Sequence, residues 1–342
     1  MNLFRSASLA VFALASLAAC SREPQPAAGR PRLAFVTNCV AEFWTIATYG
    51  VAAAAKECDV ETSVHMPAKN TVTEQKQILD DLLARGVDGI ALSCIDPTNM
   101  TALVDKVAAS TLLITHDSDA PKSRRLCYVG MDNYQAGRLC GALIEEALPN
   151  GGPIVLLVGN LDQDNSRRRR QGIIDQLFGR SMDAGRFDAQ DAVLKGPKYE
   201  IRATFTDQTD HAKGKAAAQD ALARWEDLAC MVGLFEYEPP LILEAVKSAG
   251  KLGKVAMVAF DENEATLQGI VDGHIHGTVV QNPYEYGHAS IALLARLARE
   301  RDPAKRAALL PPGGFLDIPA RRIVRDNVRA FWDDLKQKTG KK

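Results

Sequence analysis

The stretch 255–287 holds the groups with the most evident chemistry. An apolar run, 255–260, stops at Asp261; after a helical pattern a second run, 275–280, stops at Gln281, Asn282 and Pro283. In open α/β sheets ligands sit just beyond the carboxyl ends of the strands, so Asp261 and Gln281 stand where such a fold keeps its binding groups. The same test along the chain collects Asn38 with Phe43 and Trp44, Asp96, His116 and Asp117, Asp132 and Asn133, the stretch 160–170 with its arginines, Asp207 and Asp210, and Glu236 and Glu238. Carboxylates, amides and guanidinium groups bind adjacent hydroxyls in pairs, and flat rings cover the C–H faces between them. The mixture suits a small polyhydroxylated ligand. Hydrogen bonds to charged groups contribute about 1.5–3 kcal/mol each, so a few of them in a dry crevice would decide affinity.

Each of these residues also has a structural use. Asp261 could cap a helix that begins at Glu262, and Phe43 and Trp44 could belong to the inner stripe of the first helix. The arginines 167–170 cannot all face one crevice, because successive helical residues turn by about 100°. His274 and His276 lie two apart on an expected strand and point the same way, but no third ligand is placed by the sequence, so no metal is expected. Nucleophile-elbow, phosphate-loop and dinucleotide-loop signatures are absent, which argues against an enzyme and against a bound cofactor.

The elements that must position these groups alternate regularly. Apolar strand-like runs at 33–36, 60–64, 89–93, 112–115 and 126–129 are separated by helical patterns at 43–56, 73–85 and 99–109. The series then restarts, with strands expected at 154–158, 199–206, 230–234, 255–260 and 275–280 and helices at 134–147, 166–178, 210–224 and 239–249. Continuous rather than alternating apolar strands suit parallel sheets covered on both faces. Two such series predict two doubly wound lobes. The last strands follow both series, so the chain must cross between lobes more than once, as in lobes that close on a ligand about a hinge.

At 342 residues the chain is long enough for two hydrophobic cores. Its formal net charge of −1 offers no basic face for phosphates, so no nucleic-acid partner is expected. The N-terminus has a basic start at residues 1–5, a short apolar run at 7–15, and then Leu17-Ala18-Ala19-Cys20. That run is too short for a permanent span and reads as an export signal. Residues 21–31, rich in Pro, Ala and Gly, read as a flexible tether. Six further cysteines permit disulfides in an exported chain, but a protein of this size does not need them, and most are expected to be small buried hydrophobes. Cys39 and Cys94 are the pair whose preceding strands should end side by side.

Taken in order, Val36-Thr37-Asn38 with Phe43-Trp44, Ile114-Thr115-His116-Asp117, Val129-Gly130-Met131-Asp132-Asn133, Arg167-Arg168-Arg169-Arg170-Gln171-Gly172, the run 258–261, and Gln281 with Pro283 and Gly287 resemble the ribose-type periplasmic binding proteins. These are solute receptors of ABC importers and relatives of LacI-type regulators, and the likeness spans essentially the whole chain after the signal. It implies an α/β protein of the type I periplasmic-binding fold, with two doubly wound parallel-sheet lobes joined by a three-strand hinge. One lobe is expected at 32–131 plus 282–317 and the other at 132–281 plus 318–342.

By the same resemblance Phe43 and Trp44 sandwich the ligand, and Asp117, Arg167 and Asp261 bind its hydroxyls. Asn38 and Glu238 belong to the same pocket, and Gln281 sits at both hinge and pocket. Ser118 stands where the ribose receptors have an arginine, and Thr209 near where they have an aromatic. Glu238 stands where related sugar receptors commonly have asparagine; a carboxylate there accepts from a hydroxyl or favours an amino group. The tetrapeptide ending in Cys20 resembles the bacterial lipobox, in which the cysteine is lipidated after removal of the signal at 1–20. The implied protein is a lipid-anchored monomer, exported to the periplasm or cell surface. It captures a sugar or sugar-like molecule and delivers it to a membrane ABC permease. The alternatives are a sensing module for a membrane receptor and a carbohydrate-active enzyme; a signal in place of DNA-binding helices disfavours a regulator.

Overall fold

The first βα series builds one sheet from β1 (Arg32–Val36), β2 (Glu61–His65), β3 (Gly89–Leu92), β4 (Leu112–His116) and β5 (Tyr128–Gly130). The second series builds another from β6 (Gly152–Val158), β7 (Leu194–Lys195), β8 (Tyr199–Thr206), β9 (Cys230–Gly233), β10 (Ala256–Phe260) and β11 (Gly277–Val280). Two late strands are divided between them, β12 (Phe315–Asp317) beside β5 and β13 (Arg321–Val324) beside β11. The computed structural model describes residues 29–183 and 185–340. The expected export signal with Cys20, and residues 21–28 of the expected tether, lie outside the described residues. No helix among the described residues is long and apolar enough to cross a membrane.

The strand orders are β2-β1-β3-β4-β5-β12 and β7-β8-β6-β9-β10-β11-β13. Every pairing is parallel except β7 on β8 and β13 on β11. Stripped of the late and edge strands, the two sheets repeat one arrangement, and β4 and β10 are equivalent strands in it. Their residues are buried on both faces. Leu33 and Phe35 of β1 face one cluster while Ala34 and Val36 face another, and in β6 Ile154 and Leu156 part from Val155 and Leu157 in the same way. That alternation is why these strands read as continuous apolar runs.

The chain crosses between lobes three times. After β5 it enters the helix Asn133–Ala147, which packs in the second lobe; after β11 it enters the helix Pro283–Arg299, which returns to the first; and residues 318–320 join β12 to β13. No disulfide joins Cys39 and Cys94, the pair whose strands end side by side, and all six described cysteines are free. Cys94 packs on one face of the first sheet, its Sγ 3.9 Å from Met100 Sδ, whereas Cys39 packs with the cluster on the other face.

One helix crossing sets the position of the site. A Cβ on Gly137 would lie 2.1 Å from the Arg169 carbonyl oxygen, and one on Gly172 would lie 2.1 Å from that of Tyr134. The helices Asn133–Ala147 and Asp164–Leu177 therefore touch backbone to backbone, with no flexible side chain able to give way. Gly172→Ala is expected to lower stability by about 1–3 kcal/mol, the usual cost of overpacking. Urea denaturation would show it, and an unchanged midpoint would count against so close an approach.

Candidate functional site

The carboxyl ends of both sheets open on one cleft, the position in which open α/β sheets bind small molecules. From the first lobe it is lined by Asn38, Cys39, Ala41, Phe43, Trp44 and Asp117. From the second come Gln163, Asn165, Arg169, Phe235, Glu236, Tyr237 and Asp261, with Gln281 at the crossing after β11.

Asp117 and Asp261 each follow the equivalent strand of their sheet, β4 and β10, and both have left-handed backbones, with φ of 55° and 66°. Aspartate tolerates that conformation better than most side chains, and it turns each carboxylate from the strand end into the cleft. Asp117 Oδ2 accepts from Ser93 Oγ at 2.9 Å and Asn38 Nδ2 at 3.4 Å, and Oδ1 accepts from Asn165 Nδ2 at 3.2 Å. Asp261 Oδ1 accepts from Gln281 Nε2 at 2.9 Å, and Gln281 Oε1 in turn accepts from the Tyr286 hydroxyl at 3.2 Å. Burial raises both carboxyls above their usual range. For Asp117, Arg169, Ser93 and Asn165 oppose the rise. Asp261 is pushed up to about 7, chiefly by burial; Arg169 and Gln281 pull it down, and Asp117 and Glu236 add to the rise.

Arg169, 1% exposed, lies between the two acids. Its Nε donates to Asn133 Oδ1 at 2.9 Å and Nη1 to the Leu234 carbonyl at 3.2 Å, and the guanidinium sits 5.0 Å above the Phe260 ring. Nη2 approaches Asp117 Oδ1 to 3.7 Å. Trp44 is held edge-on to Phe43 at 4.8 Å and donates from Nε1 to Asn38 Oδ1 at 3.1 Å. Groups from the two lobes already meet across the cleft: Asn38 Nδ2 lies 3.4 Å from Gln163 Oε1, and Asn70 Nδ2 donates to Thr209 Oγ1 at 3.2 Å.

Six of the eight expected ligand residues, Asn38, Phe43, Trp44, Asp117, Asp261 and Gln281, thus line one cavity. Arg167 and Glu238 do not. The helix Asp164–Leu177 turns its four arginines in four directions. Arg167 packs over Phe187, Arg168 pairs with Asp164 at 2.6 Å, and Arg170 donates to Thr204 and to the carbonyls of Asp188 and Ala189. Only Arg169 of the four reaches the cavity. Glu238, the first residue of the helix Glu238–Ser248, folds back so that Oε2 accepts from the N–H groups of Leu234 and Phe235, at 2.7 and 3.0 Å. Burial, with the acid Asp207 nearby, raises its carboxyl well above normal. Glu236, two residues earlier, lines the cavity instead.

Several other strand-end groups serve the backbone. Asp96, Asp132 and Asp210 cap the helices that follow them. Asp261 is not a cap, because Asn263 accepts from the N–H of Ala265 at the start of the helix Glu264–Val271. His116 stacks on Phe35 at 4.0 Å, and burial pushes it down to about 3, so it is a neutral core residue. Neither His274 nor His276 belongs to a set of three His, Cys or acidic side chains able to hold a metal, and no such set occurs among the described residues. Sequence reasoning missed Phe235 and Tyr237; the available signal was two aromatics flanking Glu236 directly after β9.

A family profile described as a periplasmic binding protein domain matches residues 34–302. The chain belongs to the periplasmic binding protein family. A ribose import binding protein of Bacillus subtilis is 23% identical over 217 residues, 63% of this chain and 65% of that protein, just under two thirds of its length. A D-ribose/D-allose-binding protein of Pseudomonas aeruginosa is 24% identical over 263 residues, 74% of this chain and 77% of that one. The crystal structure of a glucose-galactose binding protein from Geobacillus stearothermophilus matches with a TM-score of 0.76 at 22% identity, covering 87% of this chain and 98% of that one. The fold is therefore the two-lobed α/β fold of periplasmic binding proteins. These relatives are binding proteins rather than enzymes, and the family implies an exported, periplasmic protein.

Proposed function

We propose that this protein is the solute receptor of an ABC importer, closing its lobes around one sugar or sugar-like molecule and delivering it to a membrane permease. The observation that carries this reading is the cavity itself. Phe43, Trp44, Phe235 and Tyr237 offer ring surface for C–H faces, and Asp117, Asp261, Arg169, Asn38 and Gln281 offer hydroxyl partners from both lobes. A ligand touching both lobes favours the closed state by its differential affinity for it. The sugar-binding relatives support the class of ligand. Asn38, Phe43, Trp44, Asp117, Asp261 and Gln281, with Arg169 and Glu236, are the residues we assign to it. Cys20 is proposed as the lipidated anchor, and the working form as a monomer of two lobes, 32–131 with 282–317 and 132–281 with 318–342.

A thermal-shift panel of pentoses, hexoses, sugar acids, polyols and nucleosides tests the reading. At a hundred times its dissociation constant a ligand stabilises by about 2.7 kcal/mol, which raises the midpoint by roughly several degrees. A selective shift with one sugar is expected. Silence toward every sugar, with a shift from some other class, would overturn the proposal.

A further inference from the structure

We propose that Gln163 is a specificity-determining residue of the cleft, whose amide nitrogen requires a hydrogen-bond-accepting oxygen on the ligand. This deepens the sugar-receptor reading and rests on it. Four amide side chains line the cavity, Asn38, Gln163, Asn165 and Gln281. In three of them both ends are occupied by the protein. Asn38 accepts from the Trp44 indole and donates to Asp117. Asn165 donates to Asp117 and accepts from the Ser166 N–H. Gln281 donates to Asp261 and accepts from the Tyr286 hydroxyl. Gln163 differs: it is fully buried, and its Nε2 has no hydrogen-bond partner among the described residues.

The direction of that amide is fixed from the opposite lobe. An indole N–H can only donate, so Asn38 must turn Oδ1 to Trp44 Nε1, at 3.1 Å. Asn38 Nδ2 is then left to supply Asp117 Oδ2 and Gln163 Oε1, both at 3.4 Å. Two amide nitrogens cannot bond to each other, so Gln163 must present its oxygen to Asn38 and keep its nitrogen for another acceptor. A buried donor without an acceptor is costly. Because the residue lines the cleft, the ligand is the source of the acceptor that Nε2 lacks. The chain Trp44–Asn38–Gln163 thus joins the ring assigned to the ligand to a donor on the other lobe.

The helix does not use this side chain. Gln163 stands at the N-cap of Asp164–Leu177 and makes no side-chain capping bond, whereas Ser, Thr, Asn and Asp are the residues that cap best. A second donor of the same helix, Arg169 Nη2, is also buried without a hydrogen-bond partner among the described residues, at 3.7 Å from Asp117 Oδ1. No other side chain lining the cavity has such an atom among the described residues. Both atoms are donors, so this wall calls for oxygen lone pairs, which a hydroxyl, a ring ether or a carbonyl supplies and a methylene does not. An analogue lacking the right oxygen leaves Nε2 buried and unpaired, the circumstance in which a site rejects a near copy of its ligand most strongly.

The test is calorimetry with D-ribose, D-allose, D-arabinose, D-xylose, D-glucose and D-galactose, then with the monodeoxy and ring-sulfur analogues of whichever binds most tightly. One analogue is expected to bind the wild-type protein at least about tenfold more weakly than its parent, the equivalent of about 1.4 kcal/mol. Gln163→Met, with its fold checked by circular dichroism, is expected to weaken the parent by a similar factor and to bring its ratio to that analogue close to one. Gln163→Ala repeats the comparison should methionine disturb the fold. A variant that binds the parent as tightly as the wild type does would overturn this inference and leave the sugar-receptor reading standing. So would one that weakens the parent and every analogue by the same factor, which would assign Gln163 to its contact with Asn38 alone. Silence toward every sugar tested would overturn both.

Discussion

Arg169→Met is expected to cost about 3–5 kcal/mol of stability near neutral pH, the loss typical of removing one partner from a buried ion pair. The methionine keeps much of the aliphatic stem, so the expected loss is electrostatic rather than a cavity. Without the guanidinium, Asp117 loses its only cationic neighbour within 4 Å among the described residues, and the Leu234 carbonyl and Asn133 Oδ1 lose their donor. The field that Arg169 exerts on Asp261 and Glu262 disappears as well. All three carboxyls already titrate above their usual range in the folded protein. A carboxyl raised in this way contributes stability that is complete below the ordinary carboxylate range and is lost as pH rises through its folded value. The variant raises these groups further, so its deficit should be smaller at about pH 5 than at about pH 8. Urea denaturation of both proteins at the two pH values measures it. A deficit independent of pH would mean that Arg169 serves the fold by packing alone.

That arginine also marks where sequence reasoning stopped. Strands β4 and β10 are legible because burial on both faces leaves continuous apolar runs, and the acid ending each run is at once a candidate. The two-lobed fold follows from the repeated series. Four consecutive arginines on a helix are different: spacing places them about 100° apart, but which one points into the cleft depends on the rotation of the whole helix. Here that rotation is set by the close crossing at Gly137 and Gly172, whose carbonyl contacts are with Tyr134 and Arg169. Gly172 lies three residues after Arg169 and so on nearly the same helical face, and that was the one local signal for choosing Arg169 over Arg167. Glu238 failed for a related reason. Its carboxylate is occupied by the N–H groups of Leu234 and Phe235, a use of backbone geometry that composition does not show. The strands before Cys39 and Cys94 do lie side by side, but the two thiols take opposite faces of the sheet, which the order of strands alone does not show.

Asp261→Asn is expected to act in opposite directions on binding and on stability. Asparagine has the same shape, tolerates a left-handed backbone, and can still accept from Gln281 Nε2 through its amide oxygen. It cannot carry charge, so each hydrogen bond to the ligand falls from charge-assisted to neutral strength, a loss of about 1–2 kcal/mol or roughly tenfold in affinity. Stability should change sign with pH. Burial pushes the Asp261 carboxyl up to about 7, so below the ordinary carboxylate range the acid is protonated in both folded and unfolded chains and costs little. As pH rises through about 7, the folded chain must hold a buried carboxylate that the unfolded chain exposes to water, and the wild-type protein loses stability. The asparagine variant has no such loss and should therefore melt above the wild type at about pH 8, with the gap closing or reversing at about pH 5. Parallel melting profiles across that interval would show that Asp261 does not titrate there. The expected crossing, together with weakened binding, would mean that this carboxylate is kept in the cleft for the ligand, because the fold is better off without its charge.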